Sequence, residues 1–288
     1  TMNPISTKLR LTEYQGVVTL DLERITIGMV MKGKKVLHHN DKTSEIGAND
    51  LFILCPGIHY EENIPENGLF EQVLFFISAE QIQKLLITLS DNFGIAIDSK
   101  HTCANCRAHN FLITDAPPTI SLLFNSVSQC FAREEYRQSR AMHFIKLADL
   151  VLMILLNDNK CFTNKLLSGA DMATAQFTGK IYDNLFNDIS IEQLAEQTNR
   201  SLTSFKKEFK RQFDSPPHQW FVEKRLQHAK LLLQSTSMTI SEIGNSCAFS
   251  NISHFIKLFK QRYNETPATF RRKHSAYADE HKRIAVGE

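Results

Sequence analysis

No stretch of this chain is apolar for long enough to cross a bilayer. The most apolar run, Leu147 to Leu156 (LADLVLMILL), covers about ten residues, where a spanning helix needs about 20. No secretory leader is recognisable in the opening TMNPISTKLRLTEY. The six cysteines are scattered without a disulfide framework, as expected in a reducing cytoplasm. No nucleophile–base pair, phosphate-binding loop or pair of carboxylates stands out, so no enzyme is expected. These absences lead to the expectation of a soluble cytoplasmic protein with no cofactor and no membrane partner.

What is present is ordinary in amount but uneven in place. The 288 residues are 42% hydrophobic and 22% charged, enough for two domains with their own cores. The formal net charge of +2 hides an asymmetry. From Arg200 to Lys273 there are 14 lysines and arginines against 5 acidic residues; from Thr1 to Asn199 there are 17 against 23. A basic block confined to one region is the electrostatic footprint of phosphate contact.

That basic block is built on a repeat. ISIEQLAEQTNRSLTSFKKEFKRQF runs from Ile189 to Phe213, and TISEIGNSCAFSNISHFIKLFKQRY from Thr239 to Tyr263. Leu194-Ala195 answers to Ile243-Gly244. Phe205, Phe209 and Phe213 answer to Phe255, Phe259 and Tyr263. Each copy reads as a short apolar helix with a small residue before a turn, then a helix with aromatics every fourth position. Helix-turn-helix units need this pattern, because their helices cross closely only where a residue near the turn is small. The second helix then buries one face and offers the other to a DNA major groove. Between the copies, PPHQWFVEKRLQHAKLLLQ (Pro216 to Gln234) reads as one helix, with Pro217 near its start where a missing N–H is harmless. Such a helix is roughly 27 Å long, against the ~34 Å between successive major-groove entries on one face of B-DNA.

The run IEQLAEQTNRSLTSFKKEFKRQFDSPPHQWFVEKRLQHAKLLL followed by ISEIGNSCAFSNISHFIKLFKQRYNETPATFRR resembles the DNA-binding domain of the AraC/XylS family of bacterial transcription regulators. The resemblance covers roughly the last hundred residues. Two positions depart from the family pattern: Gly244 stands where Ala is usual, and Ala248 where Gly is usual. Gly244 should weaken its helix by ~1 kcal/mol relative to Ala, and Ala248 must adopt the turn geometry that Gly supplies freely.

Residues 9–78 read as β: runs rich in β-branched and aromatic residues, among them Leu51–Leu54 and Gln72–Ile77, are broken at short intervals by Gly, Asn, Asp and Pro. The stretch IGANDLFILCPGIHY (Ile46 to Tyr60) resembles a turn of the cupin barrels that front AraC-type regulators. Metal-binding cupins add His-x-His followed by Glu. Here His38 and His39 are adjacent, so their side chains should face opposite sides of a strand, and a barrel without metal is expected. Its interior could hold a small ligand or be filled by side chains. The alternative reading, a metal-dependent cupin enzyme, would use His59 with His38 or His39. Residues 79–91 read as a helix with Ile82, Leu85, Leu86 and Leu89 on one face. HTCANCRAH (His101 to His109) has CxxC spacing flanked by histidines, which invites zinc. It lacks a second ligand pair, and Arg107 adds positive charge, so a surface loop is expected. Pro118 to Leu156 reads as two helices broken near Arg133–Tyr136. The second, from Ser139, is apolar on more than one stripe, and the resemblance implies that such helices pair subunits into a homodimer.

The expected architecture is therefore α+β in two domains. Residues 1–160 form a cupin-like sensory β-barrel with dimerisation helices, 161–173 a linker, 174–274 an all-α domain with two helix-turn-helix units joined by a long helix, and 275–288 a polar tail. In the first unit Leu202, Phe205, Phe209 and Phe213 are expected to pack, exposing Thr203, Lys206, Lys207 and Lys210. In the second, Ile252, Phe255 and Leu258 or Phe259 pack, leaving Asn251, Ser253, His254 and Lys257. Lysine can donate to guanine O6/N7, and a Thr methyl can meet a thymine methyl. By the resemblance Thr203, Lys206, Lys207, Ser253, His254 and Lys257 fall on the family's base-reading positions. Ser201 and Asn251 lie at helix starts, as N-caps with scope for phosphate contact. Arg271 and Arg272 suit packing and phosphate rather than bases. The resemblance implies a regulator, more often an activator, that binds double-stranded promoter DNA and works with RNA polymerase. Its N-terminal domain would sense a small molecule or a partner protein; the sequence names neither that signal nor the promoter.

Overall fold

Continuous burial marks inner strands of the first part of the chain. In strand β6 (Asp50–Leu54) every residue from Leu51 to Leu54 is buried, because both faces of its sheet are covered. The computed structural model describes residues 4–39, 41–95, 97, 101, 110–169 and 172–274. It divides into two compact units, Thr1–Gly179 and Lys180–Glu288.

In the first unit, strands β1 (Ser6–Leu11), β8 (Phe70–Ile77), β3 (Ile25–Lys32), β6 and β9 (Phe111–Asp115) pair in that order. Strands β2 (Val17–Leu22), β7 (Gly57–Ile64), β4 (Lys34–His39) and β5 (Lys42–Ile46) form a second sheet. All pairings are antiparallel. The single barrel expected from the sequence is thus two sheets of five and four strands, with no strand pairing between them among the described residues. The strand-forming runs were legible from their residue types, but which edges join depends on contacts distant in sequence.

One face of the five-stranded sheet, with Ile27, Ile53, Val73 and Phe75, packs against helices α1 (Ala79–Phe93), α2 (Pro118–Cys130), α4 (Arg140–Leu156) and α5 (Lys160–Ser168). A short helix α3 (Glu134–Gln138) interrupts the α2–α4 connection. In α1, Ile82, Leu85, Leu86 and Leu89 are buried, and Ser78 and Gln81 close a capping box at its start.

The opposite sheet face carries Val30, Phe52, Leu54 and Phe70, which cluster with Leu37 and Ile46 of the second sheet. Polar groups also lie buried here. Lys35 Nζ meets Glu61 Oε2 at 2.5 Å with both side chains almost fully enclosed, and Asn63 Nδ2 donates to Glu61 Oε1 at 3.0 Å. His38 and His39 diverge as their alternation requires: His38 Nε2 meets Glu62 Oε1, while His39 Nε2 meets Ser44 Oγ. His59 Nε2 lies 2.7 Å from the Cys55 carbonyl, which can only accept a hydrogen bond.

Residues 161–173 were expected to be a linker, but α5 occupies much of that stretch. Asn159 caps it, and Phe162, Leu166 and Leu167 sit in the core of the first unit. The surrounding polar residues masked an i, i+4 apolar pair, Phe162 and Leu166, which is all a short helix needs to bury. The division between the units falls within the next helix, α6 (Met172–Asp183). Residues 102–109, including both CxxC cysteines, and 275–288 of the tail lie outside the described residues.

Candidate nucleic-acid interface

Ser190 and Gln193 form a capping box that starts α7 (Ile191–Gln197). Thr239 and Glu242 form the same box at α10 (Ile240–Ser246). Each box satisfies two backbone N–H groups that a helix start leaves free. Both short helices end in a left-handed residue, Asn199 at φ 54° and Ala248 at φ 55°. The chain then enters α8 (Leu202–Phe213) and α11 (Ile252–Tyr263). Ser201 Oγ accepts from Ser204 N at 3.3 Å, and Asn251 Oδ1 accepts from His254 N at 3.0 Å. Both residues are therefore the N-caps that their positions suggested.

The aromatic ladder sets which face of each helix is hidden. Phe205 and Phe209 are fully buried in α8, and Phe255 and Phe259 in α11. Leu202, Phe213, Ile252 and Leu258 are only half-buried. Phe209 meets Trp220 edge-on at 5.6 Å, and Phe259 meets Phe270 at 5.7 Å in the same manner. Trp220 lies in α9 (Pro217–Ser235), and Phe270 lies in α12 (Pro267–His274). The repeat therefore extends past each second helix into a third, each begun by a proline, Pro217 or Pro267.

On the opposite faces Thr203, Lys206, Lys207 and Lys210 are exposed in α8, and Ser253, His254 and Lys257 in α11. Positions 203, 206, 207 and 210 share one helical face. At an offset of fifty residues Thr203 matches Ser253, Lys207 matches Lys257, and Lys210 matches Lys260. Lys260 is exposed too. It was absent from the sequence reading, although the offset alone would have found it. Lys206 has no such partner, since Ile256 at the matching place is half-buried. Among the described residues no carboxylate pairs with Lys206, Lys207, Lys210, Lys257 or Lys260. The nearby arginines are already engaged. Arg211 forks onto Glu208, whose carboxyl is held below its usual range by that hydrogen bond. Arg262 Nε lies 3.0 Å from both oxygens of Glu223. Unpaired ammonium groups are the ones free to exchange counterions for phosphates.

Arg225, inside the long helix α9, has a specific place. Its Nε donates to Leu185 O at 2.8 Å, Nη2 to Asn187 O at 2.8 Å and Nη1 to Ala248 O at 3.1 Å. No sequence pattern marks an arginine that serves carbonyls rather than carboxylates. Gly244 also acquires a reason. A Cβ there would stand 2.6 Å from Ile252 Cδ1 and 3.2 Å from Phe255 Cδ1, so an alanine would require the Ile252 methyl to move aside. Beside it the Cys247 thiol is pushed up to about 12 by burial and stays protonated at neutral pH.

Comparison with known proteins divides the chain in the same way. Residues 194–273 match a family described as a helix-turn-helix domain. Residues 26–164 match one described as the ExsA N-terminal regulatory domain. The chain is 25% identical over 194 residues to the HTH-type transcriptional regulator MtrA of Neisseria gonorrhoeae, covering 62% of this chain and 64% of that one. It is 23% identical over 256 residues to an uncharacterized HTH-type transcriptional regulator of Staphylococcus aureus (strain COL), covering 87% of this chain and 32% of that one. It thus spans less than two thirds of the length of both curated relatives. A crystal structure of apo ToxT from Vibrio cholerae superposes with a TM-score of 0.51 at 14% identity, covering 93% of this chain and 97% of that one; this likeness concerns the fold alone.

Proposed function

The chain belongs to the AraC/XylS family of transcriptional regulators, and on that premise we propose that it reads one promoter site with both helix-turn-helix units. α8 and α11 enter successive major grooves of double-stranded DNA. Thr203, Lys206 and Lys207 face bases in one groove, and Ser253, His254 and Lys257 in the next. Lys210 meets phosphate, and Ser201 and Asn251 present the helix starts to the backbone. The observation that carries this reading is the repeated face itself: hydroxyl, lysine and lysine at the same three positions of two helices. Random solvated charge would not recur at one offset with its carboxylate partners missing both times.

The first unit supplies regulation. A small molecule or a partner protein shifts the regulator only if it binds one arrangement of the chain better than another. Promoter output then follows through RNA polymerase, as an activator. A homodimer fits the surface of α4, where Met142, Ile145 and Leu156 lie exposed at spacings of three and eleven residues, the repeat of a helix–helix seam. Sedimentation of Ile145→Asp should then show a monomer where the parent is a dimer; an unchanged parent mass would remove this part.

Fragment capture from genomic DNA, followed by affinity across a salt series, tests the whole. Log K should fall steeply with log salt. The double variant Lys206→Ala/Lys207→Ala and the single variant Lys257→Ala should each lose ~1–3 kcal/mol per base contact. Loss in the first variant only would reduce α11 to a scaffold. No enrichment and no salt dependence would sink DNA reading, and metal analysis of the protein would then address the enzyme alternative.

A further inference from the structure

We propose that Arg225 is a positioning residue for DNA reading, whose guanidinium fixes the second helix-turn-helix unit in register with the first. The inference rests on the two-groove reading above and concerns how that reading is held in phase.

The three carbonyls that Arg225 serves come from both sides of the long helix. Leu185 O and Asn187 O, at 2.8 Å each, belong to the segment between α6 and α7, the entry to the first unit. Ala248 O, at 3.1 Å, belongs to the turn between α10 and α11 in the second. Carbonyls near a helix end lack intrahelical donors, so each gains a partner it would otherwise miss. The guanidinium also lies over the Phe221 ring, 5.5 Å from its centroid, which limits how it can swing. A planar fork with five fixed donors can hold three acceptors at once in one plane. A lysine ammonium on a flexible stem cannot reproduce that geometry.

The consequence for DNA follows from chain distance. Only residues 249–251 separate Ala248 from the start of α11. Phe249 among them is buried, and Asn251 caps the helix. The Ala248 carbonyl therefore sets where the first turn of α11 lies, and that turn carries Ser253 and His254. Other ties of α9 to α11 sit elsewhere: Leu226, Ala229 and Leu233 share a buried core with Phe255 and Phe259. Glu223 bonds Arg262 near the far end of that helix, and Lys230 lies over Tyr263 at 5.2 Å. None of these ties in the segment before the first unit.

Two linked reading heads gain affinity only when the link lets both engage together. Removing the pin should leave each unit able to bind its own half-site, but should weaken the preference for one spacing between half-sites. The experiment uses the full chain with Arg225→Met and Arg225→Lys. The probes are the duplex enriched by the parent protein, that duplex with the second half-site scrambled, and that duplex with one base pair inserted between the halves, a displacement of about 3.4 Å. The parent should prefer the intact duplex over both derivatives by about tenfold or more. Arg225→Met should bind the scrambled duplex within about twofold of the parent yet lose most of its preference for intact over inserted. Arg225→Lys should behave like the Met variant, since geometry rather than charge is what it loses.

A uniform loss on all three duplexes with spacing preference unchanged, in the Lys variant as well, would overturn the proposal and leave Arg225 a stabilising residue only. A parent with no preference for spacing would also overturn it. A parent that binds none of the duplexes would instead remove the DNA-reading premise.

Discussion

At the turn of the first unit the left-handed backbone is taken by Asn199, and at the turn of the second by Ala248. Asparagine visits that conformation readily, because its short polar side chain can bond locally; alanine does so at a cost of about 1–2 kcal/mol. The neighbours differ in a matching way. After Asn199 comes Arg200, half-exposed, with Nη1 donating to Thr198 O at 2.8 Å within its own turn. After Ala248 comes Phe249, buried against Phe255 with ring centroids 5.0 Å apart. The first turn is thus held by local chemistry and the second by packing and by Arg225 from another helix. Two copies of one motif can share an exposed basic face while drawing their rigidity from different sources. The second should be the more easily loosened.

Core truncation gives the largest effect and asks whether the units melt separately. Phe259→Ala removes a fully buried ring that meets Phe255, Tyr263 and Phe270, at an expected cost of about 3–5 kcal/mol. Phe209→Ala removes its counterpart against Phe205, Phe213 and Trp220. Hydrogen exchange should show protection lost from α10 to α12 in the first variant, with α7 and α8 spared, and the reverse pattern in the second. Equal loss across both units in either variant would mean that they fold as one body, and the contrast between the turns would then matter little.

Acid should act on the helix between the units. His228 of α9 is tilted against Phe186 at 4.5 Å, and burial lowers its pKa from 6.5 to about 4. Between those values the unfolded chain holds a proton that the folded chain excludes. Stability therefore falls as pH drops from about 6.5 towards 4, by roughly 3 kcal/mol in all, and does not fall further from this group below that range. The carboxylates with depressed pKa values in this part of the chain, Glu208, Glu242 and Glu265, act in the opposite sense of occupancy. Their contributions are present above the ordinary carboxylate range and are lost only below it, so they do not mask the loss from His228 between pH 6.5 and 4.5. Urea titrations of the parent and of His228→Phe should differ in that interval, the variant losing less on acidification. Parallel curves would show that His228 takes up its proton without resistance.

Much of this was legible before any coordinates, and the reasons are local. Phenylalanines at 205, 209, 255 and 259 mark a helix by their spacing whatever surrounds them, and Ser201 and Asn251 mark its start by side-chain chemistry. The exposed face follows by subtraction from the buried face. Less legible was whatever depends on distant contact. The sheets were expected to close into a barrel because strand alternation does not encode which edges meet. Helix α5 was hidden because only Phe162, Leu166 and Leu167 among polar neighbours needed cover. The threefold grip of Arg225 left no trace, since its acceptors are backbone atoms that every residue carries. Gly244 reads from sequence as a weakness in its helix, and only the structure shows that a Cβ there would meet the Ile252 methyl.

The smallest effect bears most directly on the two turns. Ala248→Gly removes the left-handed penalty but adds backbone freedom to the unfolded chain, worth about 0.5–1 kcal/mol against it. The balance should stabilise the second unit by up to about 1 kcal/mol. Asn199→Gly has little penalty to remove, so the same balance should come out near zero or slightly unfavourable. Denaturant titration read through exchange in each unit would separate the two. The sign at 248 also depends on Arg225, because the carbonyl it holds belongs to the residue being changed. If Arg225 enforces the left-handed backbone, Ala248→Gly should stabilise the second unit in the parent and gain less in Arg225→Met, where the turn is free to relax. Equal gains in both backgrounds would place the constraint in Phe249 and its neighbours. The second unit would then be stiffened by its own core, to which α9 contributes Leu226, Ala229 and Leu233, and not by the Arg225 guanidinium.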